Sequence, residues 1–163
     1  MTLKNRRALS LSAVACLLVV GCVMPPYDTT PIHQATIVHV DGKDQIAVDA
    51  RAGWVKTGLT VRSGEKIHFS ANGSWGESPG ENRTADGGQA GLFGSGYWGV
   101  ERPLGYAPWG ALVGRVGSNV FLIGADNVVT IPQDGELMLG INDGQGQFLN
   151  DNHGYVTVTI SPQ

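Results

Sequence analysis

Short runs in which every second residue is hydrophobic recur through most of this chain, and they constrain its fold more than any other feature. Beginning at Ala35, the runs read ATIVHV, QIAVDA, LTVRSG, KIHFSA, ALVGRV, VFLIGA, VVTI, ELMLGI and YVTVTI. A period of two places alternate side chains on opposite faces of a β-strand. Turn-forming pairs such as Asp41-Gly42 and Asp134-Gly135 separate the runs. The pattern predicts an all-β domain, a small jelly-roll-like β-sandwich of about eight strands.

Residues 74–109 interrupt this rhythm with many glycines and aromatic residues and few aliphatic ones. The segment predicts a long loop, or a pair of loops, between two groups of strands. Its aromatic residues include Trp75, Tyr97, Trp98, Tyr106 and Trp109. Two explanations stay open: the rings cap one end of the core, which we favour, or they stack against a sugar or another planar ligand.

The amino-terminal residues have the features of an export signal. A basic start is followed by an apolar run, residues 8–20, which is short for a membrane span and suits a secretory signal. The run ends in LVVGC, residues 18–22, which resembles the lipobox of bacterial lipoproteins. This resemblance implies that the mature chain starts at Cys22 and carries lipid there. Because Val23 and not an aspartate follows, we expect anchoring in the outer membrane of the bacterial envelope.

The expected division of the chain is a signal peptide at residues 1–21, a proline-containing tether at 22–33 and the sandwich domain at 34–163. Three basic residues and no acidic one leave with the signal, so the formal charge falls from −3 to −6. That sign disfavours nucleic acid and anionic lipid as partners. Both cysteines, Cys16 and Cys22, lie in the signal region, so we expect no disulfide in the domain.

The stretch from Gly140 to Tyr155, GINDGQGQFLNDNHGY, is the strongest candidate for a functional site. It places carboxylate and amide side chains around two glycines, between two predicted strands. Hard oxygen donors are what a calcium ion requires, and glycines allow several of them to converge on one point. Asn, Asp and Gly are also the usual residues of tight turns, so a loop that binds nothing stays open as the alternative.

From Ala50 to its end the chain resembles the PA-IL-like family of calcium-dependent galactose-binding lectins. The matching pieces keep the family's order and cover nearly the whole domain. They are Trp54, TGL (57–59), GEKIHF (64–69), NGSW (72–75), GALVGRVG (110–117), GELML (135–139), Asn142-Asp143, Asn150-Asp151 and GYVTV (154–158).

The resemblance implies a small sandwich in which one calcium ion bridges protein oxygens and two hydroxyls of a sugar. Asp143 would supply a carboxylate ligand and a hydrogen bond to the sugar, and Asn150 and Asp151 would supply the second ligand pair. Gln147 and Glu77 would contribute backbone carbonyls. Because Asp151 replaces an amide that is common in the family, we expect calcium binding to be retained or strengthened.

The chain also departs from the family. One residue, His153 or a neighbour, is inserted after the second ligand pair, so that pair could instead be Asp151-Asn152. The sugar-contacting His and Gln of the family's long loop have no counterpart in residues 81–109, where Tyr97 and Trp98 fall nearest to their place. The residues expected to contact carbohydrate are therefore Asp143, Asn150, Gln147, Tyr97, Trp98 and His153.

Signatures of hydrolases and metalloproteases are missing from the sequence, and its four histidines share no spacing, so we expect a protein that is not an enzyme. Two classes of function stay open. One is a lipid-anchored, calcium-dependent carbohydrate-binding module, possibly of galactose type. The other is a structural or protein-interaction lipoprotein of the envelope that keeps the sandwich without binding sugar.

Overall fold

A computed structural model describes residues 32–88 and 102–163. These residues form ten strands, two more than the sequence suggested. In chain order the strands are β1 Ile32–Gln34, β2 Ile37–Val40, β3 Lys43–Asp49, β4 Trp54–Val61, β5 Lys66–Gly76, β6 Leu112–Val116, β7 Asn119–Leu122, β8 Asp126–Thr130, β9 Gly135–Ile141 and β10 His153–Pro162. A short 3-10 helix at Gly146–Leu149 lies between β9 and β10.

The strands form two five-stranded sheets, and the predicted all-β sandwich is confirmed. One sheet has the order β1-β4-β9-β6-β7, and the other has the order β2-β3-β10-β5-β8. Apart from the parallel β1–β4 pair, neighbouring strands run antiparallel. Strand β1 begins at Ile32, so the end of the expected tether is already part of a sheet.

The core lies between the sheets because the alternating apolar residues of both point inward. On β10, Val156, Val158 and Ile160 are buried, whereas the residues between them are partly exposed. Among the described residues the largest fully buried side chain is that of Trp75, and Phe69, six residues earlier on β5, is also fully buried. Burial of such apolar area is the main term that stabilises a domain of this kind.

Three strand ends position the candidate site. The end of β5 lies beside the start of β10, where Gly76 pairs with His153. Strand β9 ends at Ile141, and residues 142–152 then cross to the start of β10 in the other sheet. Backbone hydrogen bonds between Gly110 and Asn142, and between Asn142 and Ala111, tie the segment before β6 to this crossing.

Within the two described ranges, no helix has the length and apolar character needed to cross a membrane. Cys22 and the remainder of the expected signal lie outside the described residues.

Candidate functional site

The first polar residue after β9, Asn142, is a fully buried anchor for the preceding loop. Its side-chain nitrogen donates to the carbonyl oxygens of Leu104 at 3.0 Å and Pro108 at 2.9 Å. Its side-chain oxygen accepts a hydrogen bond of 2.9 Å from the backbone N–H of Leu104. Because both ends of the amide are used within the protein, Asn142 fixes the loop.

Asp143 is the most informative residue of the site, because it is an acidic residue of which only 5% is exposed. Oδ1 accepts a hydrogen bond of 2.6 Å from the backbone N–H of Gly144. Oδ2 is buried and has no hydrogen-bond partner within the described ranges. Burial raises the pKa of Asp143 to about 6, and the charges of Glu77 and Asp151 raise it further, against the lowering effects of Asn152 and Gly144.

Glu77 adds a second carboxylate, at this end of the sandwich, with one oxygen that has no hydrogen-bond partner among the described residues. Its Oε1 accepts a hydrogen bond of 2.8 Å from Nε of Arg83, while Oε2 is buried and unpartnered within the described part of the chain. Burial raises the pKa of Glu77, with Arg83 acting in the opposite direction. Arg83 also donates to Glu81 at 2.7 Å, so one guanidinium holds the carboxylates of Glu77 and Glu81.

Gly110 provides the surface on which the Glu77 carboxylate rests. A β-carbon at Gly110 would lie 2.8 Å from Glu77 Oε2, and its backbone has a φ of +69°, which favours glycine. The carbonyl oxygen of Gly110 accepts a 2.7 Å hydrogen bond from the buried indole N–H of Trp75. Trp75 therefore belongs to the core and holds Gly110 through this hydrogen bond, which agrees with the capping explanation for this ring.

The residues of the two alternative second ligand pairs differ in burial. Asn150 and Asp151 are exposed, whereas Asn152 is only 2% exposed. The Asn152 amide nitrogen donates to the carbonyl oxygen of Ala50 at 3.0 Å, and its Oδ1 has no partner in the residues described. The structure places Asn152 beside Asp143, and of the two alternatives left open by the sequence it is Asp151-Asn152 that includes this residue.

Gln147 and His153 lie at the edge of the site. The side chain of Gln147 is exposed, and its backbone carbonyl accepts a hydrogen bond of 3.2 Å from the backbone N–H of Asn150. His153 is exposed and its ring lies against Gly76, where a β-carbon would be 2.5 Å from Cε1. Tyr97 and Trp98, the other residues expected to contact sugar, lie outside the described residues.

Two further residues of the adjoining loop were not singled out from the sequence. The Arg102 guanidinium is buried, donates to the carbonyl oxygens of Ala107 and Gly105, and lies 4.3 Å above the ring of Trp109. Arg83 was missed because its two carboxylate partners, Glu77 and Glu81, are surface-type residues that only the folded loop brings together. No sequence pattern marks either arginine.

The chemistry available here is that of hard oxygen donors. Asp143 Oδ2, Glu77 Oε2 and Asn152 Oδ1 are buried oxygens that lack a donor within the described ranges. In the same part of the chain, no group of three or more His, Cys, Asp and Glu side chains is placed to hold a metal ion. An ion at this end of the sandwich would therefore need amide and backbone oxygens in addition to carboxylate, a mixture that calcium accepts.

Comparisons with known proteins give a similarity in fold to solved structures. No family model and no curated protein matches the chain. Among solved structures, the chain is similar to the "EclA N-terminal domain; PllA-like lectin", with a TM-score of 0.56 and 21% sequence identity. The match covers 78% of this chain and 98% of that one, so the two share a fold over the whole of the smaller domain.

Proposed function

We propose that this chain is a carbohydrate-binding module whose site is organised by a calcium ion beside Asp143. The observation that carries the proposal is the Oδ2 of Asp143, which is buried and has no hydrogen-bond partner among the described residues. The neighbouring Asn152 also keeps its Oδ1 buried and without a partner there. A buried carboxylate without a counter-charge is unfavourable. A bound cation removes that cost and accepts both oxygens as ligands.

The residues present fit such an ion. Asp143 would hold it through its free carboxylate oxygen, and Asn152 through its amide oxygen, which the hydrogen bond to Ala50 already orients. Asp151 adds negative charge close enough to raise the pKa of Asp143. Backbone carbonyls of residues 147 and 77 complete the proposed set, as the lectin resemblance implies.

Glu77 has a role that the resemblance does not supply. Its Oε2 lies beside Gly110 and has no hydrogen-bond partner among the described residues, whereas Arg83 fixes its Oε1. One oxygen of a well-positioned carboxylate is therefore left without a hydrogen bond. In the proposed function this oxygen accepts a hydrogen bond from a sugar hydroxyl or from ion-bound water. Fixing the carboxylate in advance lowers the entropy lost on binding.

When bound, calcium would supply a point charge that holds two neighbouring hydroxyls of a sugar. The similarity in fold to a PllA-like lectin supports this use of the site. Galactose-type selectivity is part of the proposal. His153 lies at the edge of the site, and Tyr97 and Trp98, which lie outside the described residues, stay sequence-based candidates for contact with the sugar. We also propose, from the sequence of residues 18–22, that lipid on Cys22 anchors the module in the outer membrane of a bacterial envelope.

A glycan array tests this function. The whole protein is applied in calcium and, separately, in excess chelator, together with Asp143→Asn. Binding to galactose-containing glycans that disappears in chelator and in the variant is the expected result. Calcium binding without binding to any glycan would instead favour an envelope protein that uses the sandwich for structure or for contacts with other proteins.

A further inference from the structure

A second concave surface lies far from Asp143, on the outer face of the sheet that contains β10. It is a cavity of about 350 Å³ bordered by residues of β2, β3, β5 and β10. Between His153, at the candidate ion site, and Ser161, in this cavity, β10 advances by about eight residues, or about 26 Å at about 3.3 Å per residue. The two places are therefore separate.

The floor of this cavity is made by small hydroxyl side chains. Thr159 pairs with Ser70 of β5 on one side and with Gln45 of β3 on the other. Ser161 is two residues further along β10 and so points to the same face. The residue between them, Ile160, is buried in the core, which confirms that Thr159 and Ser161 face outward.

Longer side chains form the walls. Lys43 and Gln45 of β3 border one side, and His68 of β5 borders the other, held by Asp126 at 3.2 Å. Val40, at the end of β2, adds an apolar contact that is 38% exposed. Short residues in the middle of the face and long residues around them leave a trough, which we call the β10 trough.

The lining indicates what kind of molecule fits. Hydroxyl and amide groups both donate and accept hydrogen bonds, which matches the hydroxyls of a sugar or another polyol. Lys43 and Asp41 contribute opposite charges, so the lining does not select strongly for an ion. The volume lies within the range of about 300 to 1,000 Å³ that is usual for small-molecule sites. Val40 provides a surface for the apolar C–H groups of a sugar ring.

We infer that the β10 trough is a second binding site, which takes a neutral polyhydroxylated ligand of monosaccharide size through hydrogen bonds and without a metal ion. The site does not depend on the proposed function of the Asp143 region. A protein with both sites would contact a glycan at two places, and two weak contacts on one chain raise the overall affinity.

Saturation-transfer NMR on the whole protein in excess chelator tests this inference. The probes are free galactose, glucose, N-acetylglucosamine and myo-inositol, each at millimolar concentration. Thr159→Leu fills the trough, and Thr157→Leu makes the same change two residues earlier on the same face, outside the lining residues. Ser161→Gln is a second blocking variant, near the end of the strand.

The expected result is a signal for at least one probe in chelator, weakened at least about tenfold in affinity by Thr159→Leu and by Ser161→Gln. Thr157→Leu and Asp143→Asn should bind as the unaltered protein does. No signal in chelator for any of the four probes, or equal binding by the Thr159 and Thr157 variants, overturns the inference. Binding that requires calcium and Asp143 belongs to the other site, so the two proposals fail separately.

Discussion

Asn152 lies beside Asp143 at one end of the sandwich, close enough for its side chain to lower the pKa of the carboxyl. Asp143 Oδ2 and Asn152 Oδ1 are both buried and have no hydrogen-bond partner among the described residues. Asp143 follows β9 and Asn152 precedes β10, so the pair joins the two sheets. Buried polar atoms are normally satisfied in folded proteins. These two exceptions are the reason that we propose a bound cation at this place.

Asp143→Asn should change how stability depends on pH in the absence of calcium. The native pKa of Asp143 is about 6, against 3.8 for the ordinary group. Between these values the native state holds the proton more tightly than the unfolded state, so the free energy of unfolding falls as pH rises through this window. The variant lacks this charge and should be more stable than the unaltered protein near about pH 8, by at most about 3 kcal/mol.

Denaturant unfolding in chelator at several pH values measures this difference. Below about pH 3, where the carboxyl is mostly protonated in both states, the two proteins should converge. Equal stability at every pH would show that Asp143 titrates as an ordinary, solvated carboxyl.

Calcium affinity should depend on the same proton. Because a ligating carboxylate must be deprotonated, calcium and a proton compete for Asp143. Affinity should be steady above about pH 7 and fall by up to tenfold for each unit below about pH 6, at the point where Asp143 takes up its proton. Isothermal titration calorimetry across this range checks the dependence, and an unchanged affinity down to about pH 5 would contradict it.

Asn152→Ala and Asn150→Ala form a pair that distinguishes the two possible ligand registers. Asn152 is buried beside Asp143, so its loss should weaken calcium binding at least about tenfold and also lower stability by about 1 to 3 kcal/mol, because the carbonyl of Ala50 loses its donor. Asn150 is exposed, and its replacement should change neither quantity. Calorimetry and thermal melts supply the two measurements. Loss of binding in Asn150→Ala alone would restore the Asn150-Asp151 pair.

Gly110→Ala should affect the site through Glu77. Its φ of +69° makes alanine strained there, and the new β-carbon would lie 2.8 Å from Glu77 Oε2. Gly80→Ala is the matched control, since Gly80 has a φ of +87° and open space around its β-carbon position. Both variants should lose about 1 kcal/mol of stability from backbone strain. A drop in sugar or calcium affinity is expected only for Gly110→Ala, and equal effects in both would remove Glu77 from the site.

Asn142→Ala tests the anchor of the preceding loop. The change removes the donors to Leu104 and Pro108 and leaves their buried carbonyls, and the Leu104 N–H, without partners. The free energy of unfolding should fall by about 2 to 4 kcal/mol. Asn127→Ala, on the exposed edge strand β8, should stay within about 0.5 kcal/mol of the unaltered protein. Similar values for the two variants would show that the loop is held by other contacts.

The sequence predicted the class of fold well because strand alternation is a local signal. It missed the first half of β4. In that part of the strand Trp54, Val55 and Thr57 are all buried, so hydrophobic and polar residues do not alternate. It also missed β1, a three-residue strand whose existence depends on pairing with β4. Such short elements are decided by long-range contacts and not by their own residues.

At the site, the sequence singled out Asp143, which the structure shows to be buried, and left the second ligand pair open. The 3-10 helix at Gly146–Leu149 sets how many residues the crossing uses before β10, and it brings Asn152, not Asn150, into the interior. The β10 trough escaped sequence analysis for a related reason. Ser70, Thr159 and Gln45 are far apart in the chain, and only the strand register places them side by side.

The most direct test of the account is a crystal structure of the protein grown with calcium and galactose. The account predicts one calcium ion about 2.3 to 2.6 Å from Asp143 Oδ2 and from Asn152 Oδ1, with two galactose hydroxyls completing its coordination. Calcium recognised from its anomalous signal at a different place, or both oxygens facing only water in saturating calcium, would contradict it.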